Sequence, residues 1–209
     1  MADKVVVVGT GPGDARYISP IALEAIKRAE VLVGGQRLLD VFASPQQQQY
    51  PIEQNLSQLI RFIQGQRELR RVVVMVSGDT GIFSLANYLL KHIGGEQLEF
   101  IPGISSIQVM FARIKRPWNE ASILSAHGRF SDSLLAVIKS SRITALFTGE
   151  PWTPQAIARY LRQEELPDLA VALGKNLSYP DEQIIYSSLE SLLDDSADYS
   201  NTVMVIFNE

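Results

Sequence analysis

Val5-Val6-Val7-Val8, then Gly9-Thr10-Gly11-Pro12-Gly13-Asp14, then Ser19-Pro20, is the stretch that decides the fold class. An apolar β-branched run without alternation reads as a strand buried on both faces of a parallel sheet. Ser19-Pro20 marks a helix start, an N-cap serine ahead of a proline at the first helical position. Strand, glycine-rich turn and helix in succession open an α/β fold. Gly9, Gly11 and Gly13 strip side chains from the turn, so its backbone N–H and C=O groups stand open to a ligand. A plain strand-to-helix turn needs one glycine, whereas this one has three and a proline.

What the turn lacks narrows its ligand. The dinucleotide fingerprint G-x-G-x-x-G needs a glycine where this chain has Asp14, and that carboxylate stands where a phosphate would sit. No G-K-[ST] follows either. A cationic or zwitterionic ligand, or a substrate lying on the loop, fits better than a phosphate.

Outward from this turn the pattern repeats. Val72 to Val76 is a second fully apolar strand running into Ser77-Gly78-Asp79-Thr80-Gly81, and Leu98 to Ile101 runs into Pro102-Gly103-Ile104-Ser105-Ser106. In an open α/β sheet such turns collect at the carboxyl edge of the strands, so one pocket built from three loops is expected. Helices carry Ile21, Ala22, Ala25 and Ile26, then Leu56, Leu59, Ile60 and Ile63 behind an Asn55 cap, then Ala86, Leu89, Leu90 and Ile93. The glutamine-rich stretch Ser44 to Pro51 reads as a solvated surface loop, and His92 as a surface or capping histidine.

Charge and proline at Arg113-Ile114-Lys115-Arg116-Pro117 break the pattern, which predicts two domains, 1–116 and 117–209. The second half alternates strands (from Ile123, Ile143 to Phe147, Leu169 to Leu173) with helices, one of them opened by Ser131 and one started by Thr153-Pro154. It closes with two strands, Gln183 to Tyr186 and Thr202 to Phe207, expected to pair with each other around a short helix at Leu189 to Leu193. A mixed sheet follows.

A formal net charge of -4 argues against a nucleic-acid partner. The absence of cysteine removes disulfides and thiolate chemistry, and two histidines far apart in the chain, His92 and His127, argue against a protein-bound metal. No apolar run approaches a membrane span, and Met1-Ala2-Asp3-Lys4 enters the first strand directly, so a cytoplasmic protein is expected.

The order and spacing of Gly9 to Asp14, Ser77-Gly78-Asp79 and Pro102 to Ser106 resemble the tetrapyrrole methylases, from residue 5 to about 207. The resemblance implies two α/β domains with S-adenosylmethionine in the cleft between them. Ser125-Ala126-His127-Gly128-Arg129 and Gly174 to Glu182 are similar to the branch that methylates C5 of cobalt-precorrin-7, although that branch usually has Glu where this chain has Lys175. It further implies a homodimer, stand-alone rather than fused to a C15 decarboxylating methyltransferase, which would be a separate pathway partner.

By that resemblance Pro12, Ser77, Gly78, Asp79, Ser105, Ser106 and Thr148 hold the cofactor. Gly11, Gly13, Asp14, Asn176 and Tyr179 face the macrocycle, and His127 with Arg129 binds a carboxylate arm or takes the proton lost on methylation. Asp79 has a second reading, as a turn aspartate bonding its own backbone. Arg37, Arg113, Lys115 and Arg116 are further candidates for the substrate carboxylates. The alternatives are another member of the family, such as a uroporphyrinogen III methyltransferase, or a non-catalytic nucleotide-binding module.

Overall fold

A computed structural model describes residues 3–53, 55–126 and 132–208, and in it the chain forms two compact units, Met1–Ser105 and Ser106–Glu209. The first is built on five parallel strands in the order β3-β2-β4-β1-β5: β1 is Val5–Gly9, β2 Val31–Gly34, β3 Gln48–Pro51, β4 Val72–Val76 and β5 Leu98–Ile101. Its two faces are covered separately. Val5, Val7, Val72 and Val74 pack with Leu59 and Ile63 of α3 (Leu56–Arg67) and Leu89 of α4 (Ala86–Ile93). Val8, Leu32, Val73 and Met75 pack with Ile26 of α1 (Pro20–Arg28) and Leu39 of α2 (Gln36–Phe42). Burial on both faces is why these strands carry no polar alternation.

The second unit contains α5 (Ser106–Ile114), β6 (Ser122–Ser125), α6 (Asp132–Ser140), β7 (Ile143–Phe147), α7 (Pro154–Gln163), β8 (Ala170–Lys175), β9 (Gln183–Ser188) and β10 (Thr202–Phe207). Its sheet runs β6-β7-β10-β8-β9, with β6 and β7 parallel and the other pairings antiparallel, a mixed sheet as the sequence suggested. The caps expected at Ser19, Asn55 and Thr153 form, each side-chain oxygen accepting from an amide three residues on, at 3.2, 3.1 and 3.3 Å. Each such cap stabilises its helix by ~1 kcal/mol. No helix among the described residues is long and apolar enough to cross a membrane.

Four expectations are corrected. The units divide after Ser105 rather than at 116/117, because α5 packs on the second sheet. Met110 lies so close to Gly174 that a Cβ there would stand 2.6 Å from its sulfur, and the Arg116 guanidinium sits 4.7 Å above the Phe207 ring.

The stretch 44–51 is not merely a loop, since Gln48–Pro51 pairs in parallel with β2 as an edge strand. Gln47 is structural too, its Nε2 donating to Ile26 O at 2.7 Å and Ala29 O at 2.9 Å at the end of α1. β9 and β10 do not pair with each other. β9 forms a hairpin with β8, and β10, buried at five successive positions, takes the centre between β7 and β8. Leu189 to Leu193 forms turns rather than a helix, though Leu189 and Leu192 are buried as a helix face would be.

Candidate functional site

β4, β1 and β5 are adjacent in the first sheet, so the turns that leave their carboxyl ends are neighbours by construction. They are more than neighbours. Gly11 N–H donates to Gly78 O at 3.2 Å and Gly78 N–H to Gly11 O at 2.8 Å, a two-bond bridge from the first turn to the second. A Cβ on Gly9 would lie 2.6 Å from both Gly103 N and Gly78 O, and one on Gly103 would lie 2.8 Å from Gly9 Cα and closer still to Gly78 O. Gly9 and Gly103 have no room for a side chain because three backbones meet there. Gly11 and Gly78 also have φ of +86° and +68°, values that favour glycine.

Asp79 completes the junction. Its Oδ1 accepts from Gly81 N–H at 2.8 Å and its Oδ2 from Gly103 N–H at 3.0 Å. The turn-aspartate reading describes what is seen, with an added bond to the third turn that local sequence could not announce. Thr10 is buried and donates from Oγ1 to Val76 O at 3.0 Å, a further tie between the first two turns.

Asp14 is bonded within its own turn. It caps the short 3-10 turn Ala15–Tyr17, with Oδ1 accepting from Arg16 N–H at 2.8 Å, while Oδ2 accepts from Arg16 Nε at 2.9 Å and Nη2 at 2.6 Å. The bond from the Arg16 side chain, followed by that from its backbone and by its charge, holds the Asp14 carboxyl below the ordinary range. Its negative charge is therefore balanced locally. Arg16 itself was not among the residues picked from sequence, where nothing separated it from other surface arginines.

The structure brings Gly11, Pro12, Gly13, Asp14, Ser77, Gly78, Asp79 and Ser105 to one sheet edge, with Ser77 exposed and Ser105 buried. Ser106 follows as the first residue of α5. These three turns, 9–14, 77–81 and 102–106, hold no Lys, Arg or His. Small hydroxyls, open backbone and the apolar, part-exposed Ile104 line this edge, which presents no positive side chain.

In the second unit, Thr148 and Asn176 stand beyond the carboxyl ends of β7 and β8, on either side of the amino end of β10. Thr148 Oγ1 is buried and spends its hydrogen on Thr202 O at 2.7 Å, which leaves it an acceptor only. Asn176 has φ of +48°, donates from Nδ2 to Asp181 Oδ2 at 2.7 Å and accepts at Oδ1 from Asn201 Nδ2 at 3.1 Å. Tyr179 is half-buried in the same loop.

Glu182 holds that loop, accepting from Ser178 N–H at 2.6 Å and pairing with Arg113 of α5. Burial pushes the Glu182 carboxyl up, but the Arg113 and Ser178 hydrogen bonds outweigh it and leave the group below the ordinary range, a poor proton acceptor. Arg113 and Arg116 are thus engaged within their own unit. Lys175 donates to Asp198 O at 2.6 Å. His127 and Arg129 lie outside the described residues. His92 is the capping histidine expected, its Nδ1 2.8 Å from Tyr88 O and its ring stacked on Tyr88.

A family model described as tetrapyrrole (corrin/porphyrin) methylases matches residues 4–193. The chain is 30% identical over 203 residues to the cobalt-precorrin-7 C(5)-methyltransferase of Salmonella typhimurium, covering 97% of this chain and 98% of that protein. Among solved structures, a cobalamin biosynthesis precorrin-6Y methylase from Archaeoglobus fulgidus shares the fold with a TM-score of 0.78 at 23% identity, over 100% of both chains. The uroporphyrin-III C-methyltransferase of Thermus thermophilus, solved with S-adenosyl homocysteine, shares it with a TM-score of 0.78 at 20% identity, over 98% of this chain and 97% of that one.

Proposed function

The chain belongs to the tetrapyrrole methylase family, and from that premise we propose that it is the S-adenosylmethionine-dependent methyltransferase acting at C5 of cobalt-precorrin-7 in cobalamin biosynthesis. The observation that carries this reading is the end-to-end match to the Salmonella enzyme, which favours this branch over the uroporphyrinogen methylases and over a non-catalytic module.

When bound, S-adenosylmethionine supplies a methyl group already activated on a sulfonium, and no nucleophilic side chain is needed. The chain's own part is positioning, since a reacting carbon held about 3 to 3.5 Å from the methyl and in line with its bond removes most of the entropic barrier. Rigid turns serve that purpose. The Gly11–Gly78 bridge and the Asp79 brace support the turns at 77–81 and 102–106 as the cofactor-holding surface, with Pro12, Ser77, Ser105 and Ser106 on it. The turn at 9–14 then offers Gly11 and Gly13 as a flat backbone floor for the macrocycle. In the second unit, Thr148 offers an acceptor to the cofactor, while Asn176 and Tyr179 lie in a loop that Glu182 holds in place for the substrate. His127 takes the proton lost on methylation and Arg129 holds an acetate or propionate arm. The reading includes a cytoplasmic homodimer working beside a separate C15 decarboxylating methyltransferase.

Incubating the purified chain with S-adenosylmethionine and cobalt-precorrin-7 should raise the corrinoid mass by one methyl and release S-adenosylhomocysteine. His127→Ala and Arg129→Ala should each slow turnover while calorimetric affinity for S-adenosylhomocysteine stays within about twofold. Binding of S-adenosylhomocysteine without transfer to this substrate would exclude the substrate, and no binding would exclude the enzyme class.

A further inference from the structure

The proposed substrate is a macrocycle bearing several carboxylates, and the three turns at the carboxyl edge of the first sheet contain no cation. The first cation after the β1 turn is Arg16. Its 3-10 turn folds back over Gly11, where an added Cβ would lie 3.2 Å from both Tyr17 Cβ and Tyr17 O, and Gly11 in turn bridges to Gly78. Arg16 therefore stands at the rim of the turn cluster.

The geometry of its guanidinium is particular. A guanidinium has two edges that can receive a carboxylate, a side edge of Nε with Nη2 and an end edge of Nη1 with Nη2. Asp14 takes the side edge through one oxygen, and the Arg16 side chain is 84% exposed. The end edge carries no hydrogen bond to the described residues. Asp14 also bonds the Arg16 backbone, so the arginine is held at both its main chain and its head. A second carboxylate can be received without breaking the first pair.

Resting on the functional reading above, we propose that Arg16 binds a carboxylate arm of the tetrapyrrole-derived substrate through its end edge, and that Asp14 positions it rather than touching substrate. The assignment resolves a difficulty, since an acidic residue beside a polyacid repels it unless its charge is already matched. It also adds a cation beside the first-sheet turns, whereas Arg113 is paired with Glu182 and Arg116 lies over Phe207 in the second unit.

The test is steady-state kinetics with the full chain and cobalt-precorrin-7. Arg16→Ala should raise KM for the corrinoid roughly three- to tenfold, the range between an exposed ion pair and a charge-assisted hydrogen bond, with kcat within about twofold. Arg16→Lys should recover only part of the loss, because an ammonium cannot fork, and Asp14→Asn should raise KM by less than Arg16→Ala. The rise of KM with added salt should be flatter in Arg16→Ala than in the unaltered chain. S-adenosylhomocysteine affinity should not move in any of the three. An active parent enzyme with an unchanged KM in Arg16→Ala, or a KM rise matched by an equal loss of S-adenosylhomocysteine affinity, overturns the Arg16 assignment alone. A parent enzyme that binds S-adenosylhomocysteine but does not methylate the corrinoid overturns the functional reading and this inference with it.

Discussion

Asp79 Oδ2 accepts the amide hydrogen of Gly103 at 3.0 Å, tying the turn that leaves β4 to the turn that leaves β5 across the position of β1. The same carboxylate closes its own turn on Gly81 N–H at 2.8 Å. Asp79→Ala removes the acceptor of both amides, and the two lost bonds together cost ~2 kcal/mol. For a chain of this length that lowers Tm by about 4–8 °C. Calorimetric affinity for S-adenosylhomocysteine should fall with it, and Asp79→Asn, which keeps one acceptor oxygen, should fall between. Unchanged Tm and affinity in Asp79→Ala would refute the brace.

Glycine is required at the junction and replaceable inside α3. Gly103→Ala forces a Cβ into the backbones of Gly9 and Gly78 and should cost ~3 kcal/mol or more. Gly65 sits inside α3 with nothing within 4 Å of an added Cβ, so Gly65→Ala should stabilise by about 0.5–1 kcal/mol. Urea midpoints of the two variants should move in opposite directions from the parent. A shared direction would mean that the close approach of the three turns is relaxed in solution.

Tyr199 is buried and donates from its hydroxyl to Asp195 Oδ2 at 2.6 Å. Burial, followed by the bond to Asp195, pushes its phenol from 10.0 up to about 12. A pKa raised in the folded state favours the protonated form, so this contribution is complete below pH 10 and is lost as pH climbs from 10 towards 12. Tm measured against pH should fall more steeply in that window for the parent than for Tyr199→Phe, the two curves converging at the alkaline end. Parallel curves would place the Tyr199 ionisation at its ordinary pH.

Much of the fold was legible because local rules sufficed. Runs such as Val72 to Val76 can only be strands buried on both faces, and Ser19-Pro20 and Thr153-Pro154 start helices by chemistry confined to a few residues. The misread segments are those whose structure is imposed from a distance. Gln48–Pro51 is polar and becomes a strand only because β2 offers it an open edge, and Thr202–Phe207 leaves its sequence neighbour to fill the gap between β7 and β8.

The division of the two units was displaced for the same reason, since α5 begins before the charged break at 113–117 in the chain yet packs on the second sheet. At the candidate site, the glycine turns were visible as composition, while the pairing of Asp14 with Arg16 and of Asp79 with Gly103 was not.

By itself, then, the sequence determined the α/β class, the three side-chain-poor turns and the family, because period, glycine and proline act on the backbone within a few residues. Only the tertiary structure decided what the acidic residues in those turns do. A carboxylate's role depends on which donor reaches it, and the donors at Asp79 come from two different turns that meet only when β4, β1 and β5 lie side by side.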